Sequence, residues 1–229
     1  MRRVAPKTAK GAVASYRKFK ATELVTAANK IPCPLSVVAD SVDMFKPKRA
    51  NLDVRLECSR PHTLNSEILD DLFFILKHNM EKLYMQSDWG WDEKKKRDEV
   101  FSPKSRVLIC YVFGLTHDDE EVERIAGFVS FRFEREDEHP VLYCYEIQLR
   151  EEYRGQSIGR YMMNALSLVA SSTRMHRVLL TVFKANTKAL HFFKQLGFQT
   201  DETDPSNFKD SPKVDYEILS KRCERLSIT

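Results

Sequence analysis

No stretch of the 229 residues is long and apolar enough to cross a bilayer as a helix: the longest apolar run, residues 107–115, stops at nine, where a span needs about 20. The opening Met1-Arg2-Arg3 is basic and no apolar segment follows it. No secretory signal is therefore expected, and cytoplasm and nucleus are the expected settings. The five cysteines, Cys33, Cys58, Cys110, Cys144 and Cys223, are odd in number, scattered and never spaced C-x-x-C. That disfavours both a disulfide framework and a zinc site and leaves them as buried thiols. None of the six histidines falls in a pattern such as H-E-x-x-H, so no metal is expected. A net charge of +4 is too small to argue for nucleic-acid binding from balance alone. There is no internal repeat and no low-complexity segment.

What is present looks globular. With 42% hydrophobic and 31% charged residues the chain matches an ordinary folded domain, and its length suits one core. Charge is uneven along it. Lys and Arg hold seven of the first twenty positions, whereas residues 117–123 and 134–138 are acidic. A basic arm and an acidic middle imply two different partners or one intramolecular contact.

The arm, residues 1–31, is expected to be helical over 8–28 and to end at Ile31-Pro32-Cys33-Pro34, where two prolines remove amide donors. The main domain is expected over residues 50–222. Alternation over 53–58 predicts a first strand. From Asn65, a good N-cap, apolar residues at Ile68, Leu69, Leu72, Phe73, Leu76, Met80 and Leu83 predict a helix to about residue 86. A short charged helix over 92–99 precedes three strands, 106–113, 124–133 and 141–149, at the close spacing of an antiparallel meander. Helix 155–170, strand 178–183 and helix 186–196 then imply parallel pairing with a right-handed crossover. Two last strands are expected at 198–200 and 214–219. The fold class is α/β, a mixed and mostly antiparallel sheet flanked by helices.

The junction from Tyr145 to Arg160 carries most of the chemistry. It sets a strand, a glycine-bearing loop and a helix start in succession. Unpaired amides and a positive dipole make such a helix start an anion site suited to a pyrophosphate, and Arg154 and Arg160 add charge. The loop has neither the P-loop spacing nor the dinucleotide G-x-G-x-x-G, and on residues alone an ordinary turn into a helix fits as well.

Arg154-Gly155-Gln156-Ser157-Ile158-Gly159 resembles the R/Q-x-x-G-x-G/A loop of the GCN5-related N-acetyltransferases, with Ser157 in place of the first glycine. Asn186-x-x-Ala189, Phe192-Phe193 and Leu196-Gly197-Phe198 resemble a second landmark of that superfamily. Narrower stretches are similar to its histone-modifying N-terminal acetyltransferases of type D: Tyr84 to Trp91, Phe131-Arg132-Phe133, Val141 to Glu146, Leu180 to Lys184, and Asp215 to Leu219. The resemblance implies transfer of acetyl from acetyl-CoA to the α-amine of histone tails that begin Ser-Gly-Arg-Gly. It implies Gln148, Leu149 and Arg150 along the pantetheine, Gln156, Ser157, Ile158, Gly159, Arg160 and Tyr161 at the pyrophosphate, and Asn186 near the thioester. It also implies Tyr84, Trp89, Glu134, Glu136, Tyr145, Thr181 and Tyr216 as peptide contacts, with Tyr143 or Tyr145 protonating the leaving thiolate. The tyrosine that many members carry near the end of the second helix is Phe193 here.

The residue chemistry bears on this separately. Glu146 is expected on one strand face with Leu142, Cys144 and Gln148, where desolvation makes a carboxylate a better proton acceptor. A strand-edge salt bridge is the alternative. Tyr143 and Tyr145 fall on the opposite face of a regular strand, and a bulge would reunite them with Glu146. Two core aromatics would look the same. Trp89 and Trp91 suit a narrow substrate tunnel or a hydrophobic cap. Glu134 and Glu136, expected on a loop before the catalytic strand, suit a bidentate arginine or a solvated acidic turn. Three rival functions stay open: the same fold acting on a lysine or small amine, a non-catalytic chromatin-binding module, and nonspecific DNA or chromatin contact through the arm, which would be salt dependent. A monomer without membrane contact is expected.

Overall fold

The computed structural model describes residues 9–48, 53–115 and 121–224. Seven strands form one sheet in the order β1-β2-β3-β4-β5-β7-β6. They are β1 (Asp53–Ser59), β2 (Arg106–Leu115), β3 (Glu121–Glu136), β4 (His139–Leu149), β5 (Arg177–Phe183), β6 (Gln199–Thr200) and β7 (Tyr216–Arg222). Every pairing is antiparallel except β4 with β5. The expected meander and the parallel crossover are both present.

Helices cover both faces. On one side α1 (Ala9–Lys30), α2 (Ala39–Asp43) and α5 (Ile158–Ser172) close the larger core, with Ala28, Val42, Met162 and Leu166 buried among Val129, Phe131 and Leu142. On the other, α3 (Ser66–Met85) and α4 (Glu93–Val100) bury Leu72, Phe73, Leu76 and Val100 against Val107, Ile109 and Phe128. The last helix, α6 (Thr187–Gln195), adds Phe193 to the larger core. Asn65 caps α3 by accepting from the Ile68 amide at 2.8 Å, which satisfies one of the donors a helix start leaves unpaired.

The second half of α1 belongs to the body of the molecule. Arg106, fully buried on β2, donates to the carbonyls of Ala28, Asn29 and Ile31 at 3.2, 3.1 and 2.9 Å. A cation there answers the negative end of the helix dipole. Burial, with Arg60 nearby, lowers its pKa to about 10.

Two boundaries differ from the expectation for physical reasons. Gly155 and Ser157 have φ of +71° and +66°, outside helical space, so α5 starts at Ile158 and not at 155. β3 runs on through Glu134 and Glu136, which pair with Val141 and His139. These two acids are strand residues, not loop residues, because the left-handed Asp137 (φ +49°) lets the chain reverse within residues 137–138.

Candidate active site

β4 and β5 pair only from Val141↔Arg177 to Cys144↔Leu180. Beyond that the two strands diverge, and a cleft opens between their C-terminal ends, lined by Tyr84, Trp89, Glu146, Thr181, Phe183 and Asn186. Ligands of sheets with parallel strands characteristically bind off such carboxyl ends.

At the mouth of the cleft β4 carries a bulge. Ser130 of β3 pairs with Glu146 and Phe131 with Cys144, which leaves Tyr145 as an extra residue. Its effect is to change the face that later side chains take. Leu142, Cys144, Ile147 and Leu149 pack on the larger core. Tyr143, Tyr145, Glu146 and Gln148 have their partners among the cleft residues, β3 and α3. The expectation that Glu146 shares a face with Leu142 and Cys144 is corrected, and the two tyrosines join Glu146.

Glu146, 6% exposed, is surrounded by donors. Lys96 Nζ lies 2.7 Å from Oε1, the Tyr84 hydroxyl 3.3 Å from the same oxygen, and Gln148 Nε2 2.8 Å from Oε2. Of the two readings the sequence left open, a desolvated carboxylate and a salt bridge, the structure combines both: Glu146 is a buried ion pair. Sequence reasoning missed Lys96. It sits in a run of three lysines, and the only hint is its spacing of four from Val100, the one apolar residue of α4. Burial acts to lower the Lys96 pKa, but Glu146, Tyr84 and Glu99 outweigh it and hold the ammonium above the usual lysine value. Burial, helped by Glu146, raises the Tyr84 hydroxyl.

The tyrosines are held from the other side. Tyr145 donates to both oxygens of Glu134 at 3.1 Å while the Arg132 guanidinium lies 4.1 Å from its ring centroid. Tyr143 meets Thr181 hydroxyl to hydroxyl at 2.6 Å. Burial raises the pKa of both phenols. It also raises Glu136, reinforced by Asp137. An aromatic wall completes the cleft: Trp89 packs on Tyr84, Phe183 and Tyr216 with centroids 6.2, 5.3 and 5.2 Å apart. Trp91 turns instead toward Phe73 and Tyr84.

Behind the cleft, the first intrahelical bond of α5 is Tyr161 N–H to Ser157 O. The amides of residues 157–160 therefore precede the helical ladder; the side chain of Arg160 is exposed, and the guanidinium of Arg154 turns onto the Leu149 carbonyl and Asn79 Oδ1. That donor set suits a pyrophosphate. The Tyr161 ring is core, 2% exposed. Gln156 donates to Glu152 O, and Asn186 caps α6 by accepting from the Ala189 amide at 3.2 Å. The Leu149 carbonyl accepts from Asn79 at 3.0 Å and from Arg154 at 3.2 Å, while Arg150 is tied to Ile125 O and the Asp71 carboxylate. Among the described residues no group of three His, Cys, Asp or Glu side chains could hold a metal ion.

A sheet whose parallel pair parts over a buried carboxylate, with a helix N-terminus behind it, defines an acyltransferase of the GNAT type. Residues 73–198 match the acetyltransferase (GNAT) family, whose members use acetyl-CoA, and the chain belongs to that family. It is similar to N-alpha-acetyltransferase 40 of Saccharomyces cerevisiae, 28% identical over 175 residues, a match covering 69% of this chain and 58% of that protein. The chain thus spans under two thirds of that relative's length. In fold it resembles the GNAT-family acetyltransferase of Staphylococcus aureus (TM-score 0.52, 12% identity, 74% of this chain and 100% of that one). It also resembles Arabidopsis thaliana NAA60 in complex with a bisubstrate analogue (TM-score 0.50, 13% identity, 74% and 98%).

Proposed function

We propose that this chain is a protein N-terminal α-amino acetyltransferase that transfers acetyl from acetyl-CoA to histone tails beginning Ser-Gly-Arg-Gly. The observation that carries the reading is the convergence of Glu146, Tyr84, Trp89 and Thr181 on one cleft where β4 leaves β5. The similarity to a yeast N-alpha-acetyltransferase supports the choice of an α-amine.

When bound, acetyl-CoA supplies an activated thioester carbonyl. The amides of residues 157–160, with Arg154 and Arg160, hold its pyrophosphate, Gln148, Leu149 and Arg150 line its pantetheine, and Asn186 lies near the thioester. Glu146 accepts the proton of the incoming ammonium, directly or through one water. An α-amine ionises near pH 8, so little driving force is required. Attack is direct, and Tyr143 or Tyr145 gives the departing thiolate its proton. Trp89, Tyr84 and Tyr216 enclose a small first residue, and Glu134 and Glu136 receive the arginine at position three.

The same reading puts the protein in nucleus and cytoplasm as a monomer. It also gives the basic beginning of the chain, ahead of the packed second half of α1, a salt-dependent contact with DNA or chromatin.

The test is mass spectrometry of Ser-Gly-Arg-Gly-Lys peptides with a free or a blocked α-amine, incubated with acetyl-CoA and wild type or Glu146→Gln. One acetyl on the free peptide alone, reduced about a hundredfold or more in the variant, is the expected result. Modification of both peptides moves the target to lysine. Modification of neither, by a folded protein, leaves a binding module.

A further inference from the structure

Among the described residues Lys96 is the one lysine whose burial the structure must compensate: its side chain is 10% exposed, on a helix whose other lysines face solvent. An ammonium has three protons to donate, and all three have acceptors. They are Glu146 Oε1 at 2.7 Å, the Tyr84 hydroxyl at 2.5 Å and Glu99 Oε2 at 2.7 Å. The Tyr84 ring adds a cation–π contact at 4.6 Å. Such a tripod fixes the nitrogen in space, and the nitrogen in turn fixes one oxygen of Glu146. Gln148 holds the other oxygen, and Asn79 of α3 donates to Gln148 at 3.0 Å.

Element by element, Glu146 meets Tyr84 from α3 and Lys96 from α4, with Glu99 behind Lys96. Ser130 lies opposite it on β3, and Cys144 and Gln148 flank it on β4. Among these Lys96 is the only cation. Glu146 therefore has one charge partner at short range, and removing it leaves a carboxylate buried without a counter-charge.

We propose that Lys96 is a positioning residue that holds Glu146 in one orientation at the head of the cleft, and so sets how readily the site accepts the proton of an incoming amine. This rests on the reading of Glu146 as proton acceptor. Lys96 does not line the cleft and acts only through Glu146.

The experiment is the pH dependence of kcat, at saturating acetyl-CoA and Ser-Gly-Arg-Gly-Lys peptide, for wild type, Lys96→Met, Lys96→Arg and Glu146→Gln. The acidic limb of kcat reports groups in the bound complex. In Lys96→Met it should move up by about 1–3 pH units, the usual effect of one adjacent opposite charge. Activity should then be reduced about tenfold or more at pH 6.5 and recover to within a few fold of wild type at pH 9. Lys96→Arg should keep the wild-type limb. Should Lys96→Met not fold, Lys96→Gln, which keeps a donor but no charge, gives the same shift. A variant with lowered kcat at every pH and an unmoved limb would overturn the proposal while leaving the proton-acceptor reading intact. Wild-type activity and limb in Glu146→Gln would instead remove the proton-acceptor reading itself.

Discussion

Tyr143 and Thr181 touch through their hydroxyls at 2.6 Å, one register step from Cys144↔Leu180, the last pair that joins β4 to β5. This bond holds the two strands at the point of divergence. Thr181→Val keeps the volume and leaves the phenol without its partner, a loss worth about 1–3 kcal/mol for a buried polar group. We expect the melting temperature to fall by a few degrees. In a cycle with Tyr143→Phe the two losses should fail to add by more than about 0.5 kcal/mol. Additive losses in urea titrations would show the contact to be energetically idle.

Ser157 occupies a left-handed backbone conformation, φ +66°, directly before α5. A side chain costs about 1 kcal/mol there, and its hydroxyl makes no capping bond in return. Ser157→Gly should therefore leave stability equal or raise it by up to about 1 kcal/mol, with undiminished acetyl-CoA affinity by calorimetry. A clear loss of affinity would mean that the hydroxyl itself binds the phosphates.

Gly127 has no room for a methyl group. A Cβ there would lie 2.1 Å from the Gln148 carbonyl oxygen and 2.9 Å from Leu149 Cα, both backbone atoms of the strand that carries Glu146. Gly127→Ala must push β3 away from β4, and we expect it to cost more than about 3 kcal/mol and to abolish activity. Near-native stability by chemical denaturation would contradict the close approach.

Arg177 and Asp201 form a second buried ion pair, Nε to Oδ2 3.0 Å, with side chains 4% and 2% exposed. Burial works to raise the Asp201 pKa, but the hydroxyl of Ser220, the amide and hydroxyl of Thr203 and the charge of Arg177 together hold it below the usual aspartate value. A depressed carboxyl stabilises the fold above its unfolded pKa and loses that contribution as pH falls through the folded value. Asp201→Asn should cost about 3–5 kcal/mol at neutral pH and progressively less below about pH 4. Equal losses at pH 7 and pH 3 would be the contrary result.

Element order, the Asn65 cap and the α3 stripe could all be read from the chain because each depends on neighbours in sequence. The β4 bulge was legible as well, though only from parity. The core residues Leu142 and Cys144 are even-numbered, while Ile147 and Leu149 are odd, and a regular strand cannot bury both sets on one face. Reading the even set straight through placed Glu146 wrongly. Likewise Phe131 and Phe133 alternate with Arg132, Glu134 and Glu136, a strand pattern that continues past residue 133. The Lys96–Glu146 pair lay out of reach. It joins residues fifty apart on elements whose docking no local pattern encodes, and a lysine among lysines does not announce its burial.

Arg106 gives α1 a weight that the basic composition of the chain's beginning conceals. Its guanidinium is spent on the carbonyls that end α1, so the helix and the sheet share one fastening. Truncation at residue 31 would strand a cation in the interior and bare the part of β3 and β4 that α1 covers. Trimming only the first dozen residues leaves that fastening whole. Chains cut at these two places would separate what the basic beginning recruits from what the rest of the helix keeps folded.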